Sequence, residues 1–231
     1  MLIKIKDRDG DMLYECDAPD SREAVMEAVG LGVDLSYADL HGINLQNANL
    51  EGINLTAANL TAANLSCVYL TEANLERADL TGADLSFTDM MRAILYHATL
   101  TDANMTWAAL RFTDMRAAKL TGANLMGADL TCANLRDANL KKANLHGARL
   151  AEADMKSSHL RGANLNYAVL YNSDMTRADL KYANLKDARL WGANLSYANL
   201  TGVDLTGANL DGVDLNHASM STKTGQEIEG C

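Results

Sequence analysis

From Leu35 to Met220 an apolar residue stands at every fifth position, and the phase never slips. All 38 of these centres are Leu or Met: 32 are Leu, with Met at 90, 105, 115, 155, 175 and 220. Two residues before the centre stands Ala in 28 of the 38 repeats, and Val, Ile, Thr or Ser in the rest. One residue before it stands Asp or Asn, again in 28 of 38. A helix wants apolar residues every three to four positions and a strand every two, so neither explains the spacing alone. The pattern predicts a short strand that turns the Leu and the small residue inward, with the residue between them and the two that follow facing solvent. Eleven glycines sit two residues after a centre, and no other slot of the array holds any. That slot reads as a corner with positive φ or a tight turn. A short strand and a corner every five residues give a coil with flat sides, stacked by parallel backbone hydrogen bonds about 4.8 Å apart.

Residues 1–32 do not follow the pattern. Leu2–Lys6 and Met12–Cys16 read as two strands, and the Asp-Gly within Asp7-Arg8-Asp9-Gly10-Asp11 predicts a hairpin between them. Asp7, Asp9 and Asp11 also alternate as metal ligands do, but a calcium loop needs more ligands and a closing Glu, so the turn is the preferred reading. A helix follows. Asp20 or Ser21 caps it, Glu23 fits a capping box with Asp20, Ala24, Val25, Ala28 and Val29 form an apolar face, and Gly30 ends it. Hairpin and helix together are expected to cover the open first coil, as lids do on solenoids. Residues 221–231 form a short polar tail.

Composition agrees with a thin, regular core: the chain of 231 residues is 48% hydrophobic but only 5% aromatic, and its apolar content is Leu and Ala. The first residues are charged and lead into no long apolar run, and no 18-residue apolar stretch exists, so neither a signal peptide nor a spanning helix is expected. Cys16, Cys67, Cys132 and Cys231 show no Cys-x-x-Cys spacing and read as free thiols in a reducing cytoplasm. A net charge of −10 argues against a general nucleic-acid binder. His41, His97, His146, His159 and His217 are scattered. No Ser-His-Asp set, carboxylate pair, phosphate loop or metal spacing appears, so no catalytic residue, cofactor or metal is expected.

The repeats Ala128-Asp129-Leu130 and Ala133-Asn134-Leu135 carry the pattern A-[DN]-L-x-x, and the chain resembles the pentapeptide-repeat proteins over residues 33–220. The resemblance implies an all-β solenoid: a right-handed quadrilateral parallel β-helix with four repeats per coil. Residue n then stacks on n+20, and the array makes about nine coils over roughly 45 Å. The last coil would expose Leu205, Leu210, Leu215 and Met220 and an unpaired edge, which predicts end-to-end homodimerisation. The alternatives are a tail folded over that end, or a longer natural chain.

Stacking by twenty turns the outward residues into ladders. One runs through Asn44, Asn64, Asp84, Asn104, Asn124, Asn144, Asn164, Asn184 and Asp204 and reads as a structural amide ladder. Arg116, Arg136 and Lys156 form a second, and Lys141, Arg161 and Lys181 a third. These read as an anion or partner site, or, with Asp114, Asp137 and Asp154 interspersed, as a solvated salt-bridge lattice, which is preferred. Phe87 and Trp107 neighbour each other on one side; Phe112, Arg149, Tyr171, Arg189 and Trp191 lie on the next. Exposed aromatics with Arg are the composition of binding hot spots, so these seven are the candidate partner-binding residues. The uncharged stretch 52–71 is a second candidate surface.

The resemblance extends to gyrase-inhibiting members of the family, described as mimics of DNA. Charge argues against that role. Residues 33–110 carry net −7, residues 111–161 net +4 and residues 162–220 net −2. Duplex DNA of roughly 45 Å carries about 27 charges. These members also commonly place Phe at some centres, and several interrupt the array with loops; this chain does neither. The expectation is a scaffold that binds a protein through its ladders, with gyrase binding as the alternative. The start of the chain also looks like that of bacterial and prophage pentapeptide-repeat proteins.

Overall fold

The computed structural model describes residues 1–221. Strands β1 (Leu2–Lys6) and β2 (Met12–Asp17) pair antiparallel, and helix α1 (Ser21–Gly30) follows. The Asp7 carboxylate accepts the backbone N–H groups of Asp9 and Asp11 at 3.0 and 2.8 Å, so it is occupied in shaping the hairpin turn. Asp20 caps α1 by accepting the Glu23 N–H at 2.9 Å. The helix ends at Gly30, as expected; Leu31 is its C-cap, and Gly32, at φ 70°, makes the left-handed exit. The Tyr14 hydroxyl donates to Glu27 at 2.8 Å and ties β2 to the helix; that bond, with burial, pushes the Tyr14 pKa up to about 12.

The first coil joins this unit edge to edge. Asp7 bridges antiparallel to Ala38, Asp39 N–H donates to Lys6 C=O at 2.8 Å and Arg8 N–H to Tyr37 C=O at 3.1 Å. Ile5, Ala24, Val25 and Ala28 are buried in the same core as the Leu centres. From Asp39↔Asn59 to Asn194↔Asp214, every bridge in the array is parallel and joins residue n to residue n+20. Five-residue repeats in a twenty-residue coil make four sides.

The expected strand shrinks to one bridging residue per repeat, the one before the centre. Among the described residues of the array, β3 (Asn199–Thr201) and β4 (Ser219–Ser221), a parallel pair, alone extend to three residues. The reason is that two of every five residues are spent on the turn. One repeat shows how every backbone N–H is used. Gly127 and Leu130 donate to the following coil, at His146 C=O (3.0 Å) and Arg149 C=O (2.7 Å). Asp129 donates to the preceding coil, at Ala108 C=O (2.9 Å), and Ala128 closes the turn on Leu125 C=O (3.1 Å). The fifth, Thr131 N–H, donates to the Asp129 side chain at 3.1 Å. Asp and Asn therefore fill their slot because the turn leaves one N–H without a backbone acceptor, and buried or half-buried amides must be paired.

The centres from Leu45 to Leu200 are buried to within 1% of complete, and the residues two before them are buried as well. Leu205, Leu210, Leu215 and Met220 of the last coil are only partly buried. The tail at 221–231 lies, apart from the backbone of Ser221, outside the described residues.

Four hydroxyls occupy the Ala slot in the middle of the core. Thr88, Thr113 and Ser173 donate to the carbonyl three residues back, at 2.7, 2.8 and 2.9 Å. The Ser158 hydroxyl is fully buried and has no hydrogen-bond partner among the described residues. Replacing Ser158→Ala removes an unsatisfied polar group without changing the packing, and should stabilise the protein by about 1–2 kcal/mol. Ser173→Ala, which loses a made bond, should not. Paired denaturant titrations check the difference in sign.

Candidate partner-binding surface

The slot two after each centre sets the geometry of the exterior. Every such residue from 37 to 217 has positive φ, between 52° and 72°, and 26 of them are not glycine. This is the left-handed third residue of a turn of type II character. It aims side chains off the corners, where they lean over the next coil. A Cβ built on Gly127 would lie 2.5 Å from the Trp107 ring, and one on Gly202 would lie 2.5 Å from the Tyr182 ring.

The amide ladder forms in part. Asn104 donates to Asp84 at 2.9 Å, Asn144 to Asn124 at 3.0 Å, Asn164 to Asn144 at 3.0 Å and Asn184 to Asn164 at 3.4 Å. Asn124 turns aside to Thr106 at 2.9 Å. Asp84, without an amide, cannot donate to Asn64, and the run breaks there.

The second ladder is a salt-bridge lattice. Arg116 contacts Asp114 at 2.6 Å, Arg136 contacts Asp154 at 3.7 Å, and Lys156 contacts Asp174 at 2.9 Å and Asp154 at 3.9 Å. The hydrogen bond from the Arg116 guanidinium holds the Asp114 carboxyl below the usual carboxylate range. A folded pKa below the unfolded one adds stability above the unfolded value, and this is lost as pH falls through the folded value. Arg116→Gln should raise the Asp114 midpoint toward the ordinary carboxylate range. The stability gap between the two proteins should close as pH falls below about 4. Carboxyl NMR titration and melts across that range check both.

The aromatic candidates are exposed but do not pair. Phe87 is 61% exposed, Trp107 57%, Phe112 47% and Trp191 53%; Tyr171 is half-buried. Neither Phe87 with Trp107 nor Tyr171 with Trp191 forms a ring contact among the described residues. Trp107 lies against Gly127 instead, because glycine leaves the space a ring takes. The Arg111 guanidinium sits 5.5 Å from the Phe112 ring centre. Arg149 reaches Asp129 at 3.9 Å, and Arg189 is exposed. The seven residues thus fall into two groups. Phe87, Trp107 and Phe112 lie on neighbouring coils; Tyr171, Arg189 and Trp191 lie about three coils, roughly 14 Å, further along, with Arg149 between.

Sequence reasoning did not single out Tyr182, which the Arg161 and Lys181 cations flank at 5.6 and 5.1 Å from the ring centre. Its position one residue after Lys181, and twenty before Gly202, was the available signal. The expected free thiols are seen at Cys16, Cys67 and Cys132; Cys231 lies outside the described residues. Among the described residues no group of His, Cys, Asp and Glu is arranged to hold a metal, and no helix is long and apolar enough to cross a membrane.

A four-sided β-solenoid of five-residue units, with its chemistry confined to outward ladders, defines the class of protein. The family model for pentapeptide repeats matches in 8 copies across residues 38–106, 108–181 and 183–221, and the chain belongs to that family. Among solved structures, the chain is similar to HetL of the cyanobacterium Nostoc sp. strain PCC 7120, described as involved in heterocyst differentiation regulation. The identity is 33%, over 85% of this chain and 93% of that one, with a TM-score of 0.34. Rfr23 of the cyanobacterium Cyanothece 51142 is 32% identical over 42% of this chain and 64% of its own, at a TM-score of 0.31. QnrB1, a plasmid-mediated fluoroquinolone resistance protein, is 17% identical over 76% of this chain and 90% of its own, at a TM-score of 0.42. No curated protein sequence matches the chain.

Proposed function

We propose that the protein is a non-enzymatic scaffold that captures a protein partner on its outward ladders. In this reading the array is a right-handed, four-sided helix of about nine coils, with the hairpin and α1 as the cap of its first coil. Phe87, Trp107, Phe112, Arg149, Tyr171, Arg189 and Trp191 form the contact surface. The observation that carries it is the exposure of four large aromatic rings, three of them (Phe87, Trp107 and Phe112) on left-handed corners that repeat one backbone conformation and Trp191 beside such a corner. Rings fixed in this way lose little freedom on binding, so their contact area converts efficiently into affinity. The working location is the cytoplasm, with no nucleic acid, membrane, metal or cofactor involved. The half-buried Leu205, Leu210, Leu215 and Met220 are offered to the same face of a second copy, giving an end-to-end homodimer.

Affinity capture from a bacterial lysate with wild type, Trp107→Ala and Trp191→Ala tests the contact surface. The expected result is a protein retained by wild type and lost with either variant. A supercoiling assay with DNA gyrase at two salt concentrations tests the rival reading. Salt-sensitive inhibition at micromolar levels would replace the scaffold with a DNA mimic. Sedimentation of wild type and Leu215→Glu tests the dimer.

A further inference from the structure

Of the two cationic ladders, one is neutralised and the other is not. Arg116, Arg136 and Lys156 each reach a carboxylate. On the next side stand Lys119, Lys141, Lys142, Arg161 and Lys181, on neighbouring coils. None of the five is in an ion pair among the described residues. All are exposed except Lys181, which is half-buried. The bordering acids do not answer them. Asp102 leans on Gly122, and Asp179 Oδ1 accepts Asn199 Nδ2 and Lys181 N–H, both at 3.2 Å. Asp137, at the preceding corner, forms no ion pair among the described residues either. Within the strip stands Tyr182, 49% exposed, held between Arg161 and Lys181 and braced on Gly202. A chain of net charge −10 thus keeps five cations without an ion pair among the described residues along one strip, two of them flanking an exposed ring.

We propose that this strip is a docking surface for an acidic α-helix of a partner protein, with one carboxylate per helical turn set against each of Lys141, Arg161 and Lys181. The rungs are about 4.8 Å apart and a helix rises about 5.4 Å per turn. Over two intervals the mismatch is about 1.2 Å, within the reach of flexible Lys and Arg side chains. An extended strand repeats its same-face side chains about every 6.6 Å and runs out of register by about 3.6 Å over the same two intervals. A long polyanion meets repulsion beyond the strip, since residues 33–110 carry net −7. Tyr182 supplies the apolar contact that ion pairs alone lack. The strip is separate from the aromatic surface proposed above and stands without it.

The test uses the full chain and a labelled twenty-residue Ala/Gln/Glu peptide, capped at both ends, with its Glu residues on one helical face. The comparison probes are the same composition with Glu spread around the helix, and a twenty-nucleotide single strand. The aligned peptide should bind, more weakly as salt rises. The triple variant Lys141→Gln/Arg161→Gln/Lys181→Gln should weaken it tenfold or more, and each single variant about two- to fivefold. Arg116→Gln/Arg136→Gln and Trp107→Ala should stay within about twofold. The proposal falls if the aligned peptide does not bind, if the spread peptide binds equally, or if the triple variant binds as wild type does. It also falls if the oligonucleotide binds more tightly than the peptide and is lost in the same variant, which would assign the strip to nucleic acid.

Discussion

Leu130→Ala should cost about 2–5 kcal/mol, the range for truncating a fully buried Leu. Leu130 is 0% exposed, and both the Ala two before it and the Leu five before it are equally buried. The walls are held by main-chain bonds to the coils on either side, Leu130 N–H to Arg149 C=O at 2.7 Å among them. They cannot close on the space, so both the lost transfer energy and the cavity count against the fold. Leu215→Ala is the control. That side chain is only partly buried, and its loss should cost about half as much or less. If the end of the array is shared with a second copy, the Leu215→Ala cost should instead rise with protein concentration. Denaturant titrations at two concentrations separate the cases. Equal costs for the two positions at both concentrations would sink the picture of a core that thins toward its last coil.

The second large effect belongs to Gly127. Gly127→Ala should destabilise by about 2–3 kcal/mol, from two sources that a partner variant separates. Alanine at φ 67° carries the left-handed penalty of about 1–2 kcal/mol, partly offset by a less flexible unfolded chain. Its Cβ would also lie 2.5 Å from the Trp107 ring, so the indole must move. Gly147 has a similar φ, 64°, with nothing within 4 Å of a built Cβ. Gly147→Ala should therefore cost less than about 1 kcal/mol and leave tryptophan fluorescence unchanged. Gly127→Ala should shift it. The 26 non-glycine residues at the same conformation show that the backbone tolerates a Cβ there, so a side-chain clash makes the difference.

The exterior was legible in the sequence to an uneven degree. The twenty-residue stacking put Phe87 beside Trp107 and Tyr171 beside Trp191, and the backbone bonds from Phe87 to Thr106 and from Asn172 to Trp191 place each pair on successive coils. Neither pair makes a ring contact among the described residues; Trp107 leans over the following coil instead, where Gly127 leaves room. The two cationic ladders looked alike in sequence. Their difference rests on which carboxylates lie within about 4 Å, and that depends on rotamers at the corners, which spacing does not reveal. The Asp and Asn preference suggested a ladder between coils. Its commoner use is local, accepting the N–H two residues on, as Asp129 does for Thr131.

The sequence by itself determined the interior of this protein. A phase that never slips leaves one arrangement in which every fifth Leu is buried, and burial of those side chains outweighs any local preference. The tertiary structure alone decided the surface: which N–H lacks a backbone acceptor, which cation is answered, which ring is supported and which stands free. These depend on distances between residues twenty apart and on left-handed corners that aim side chains across coils, so they arise only when one coil lies on another.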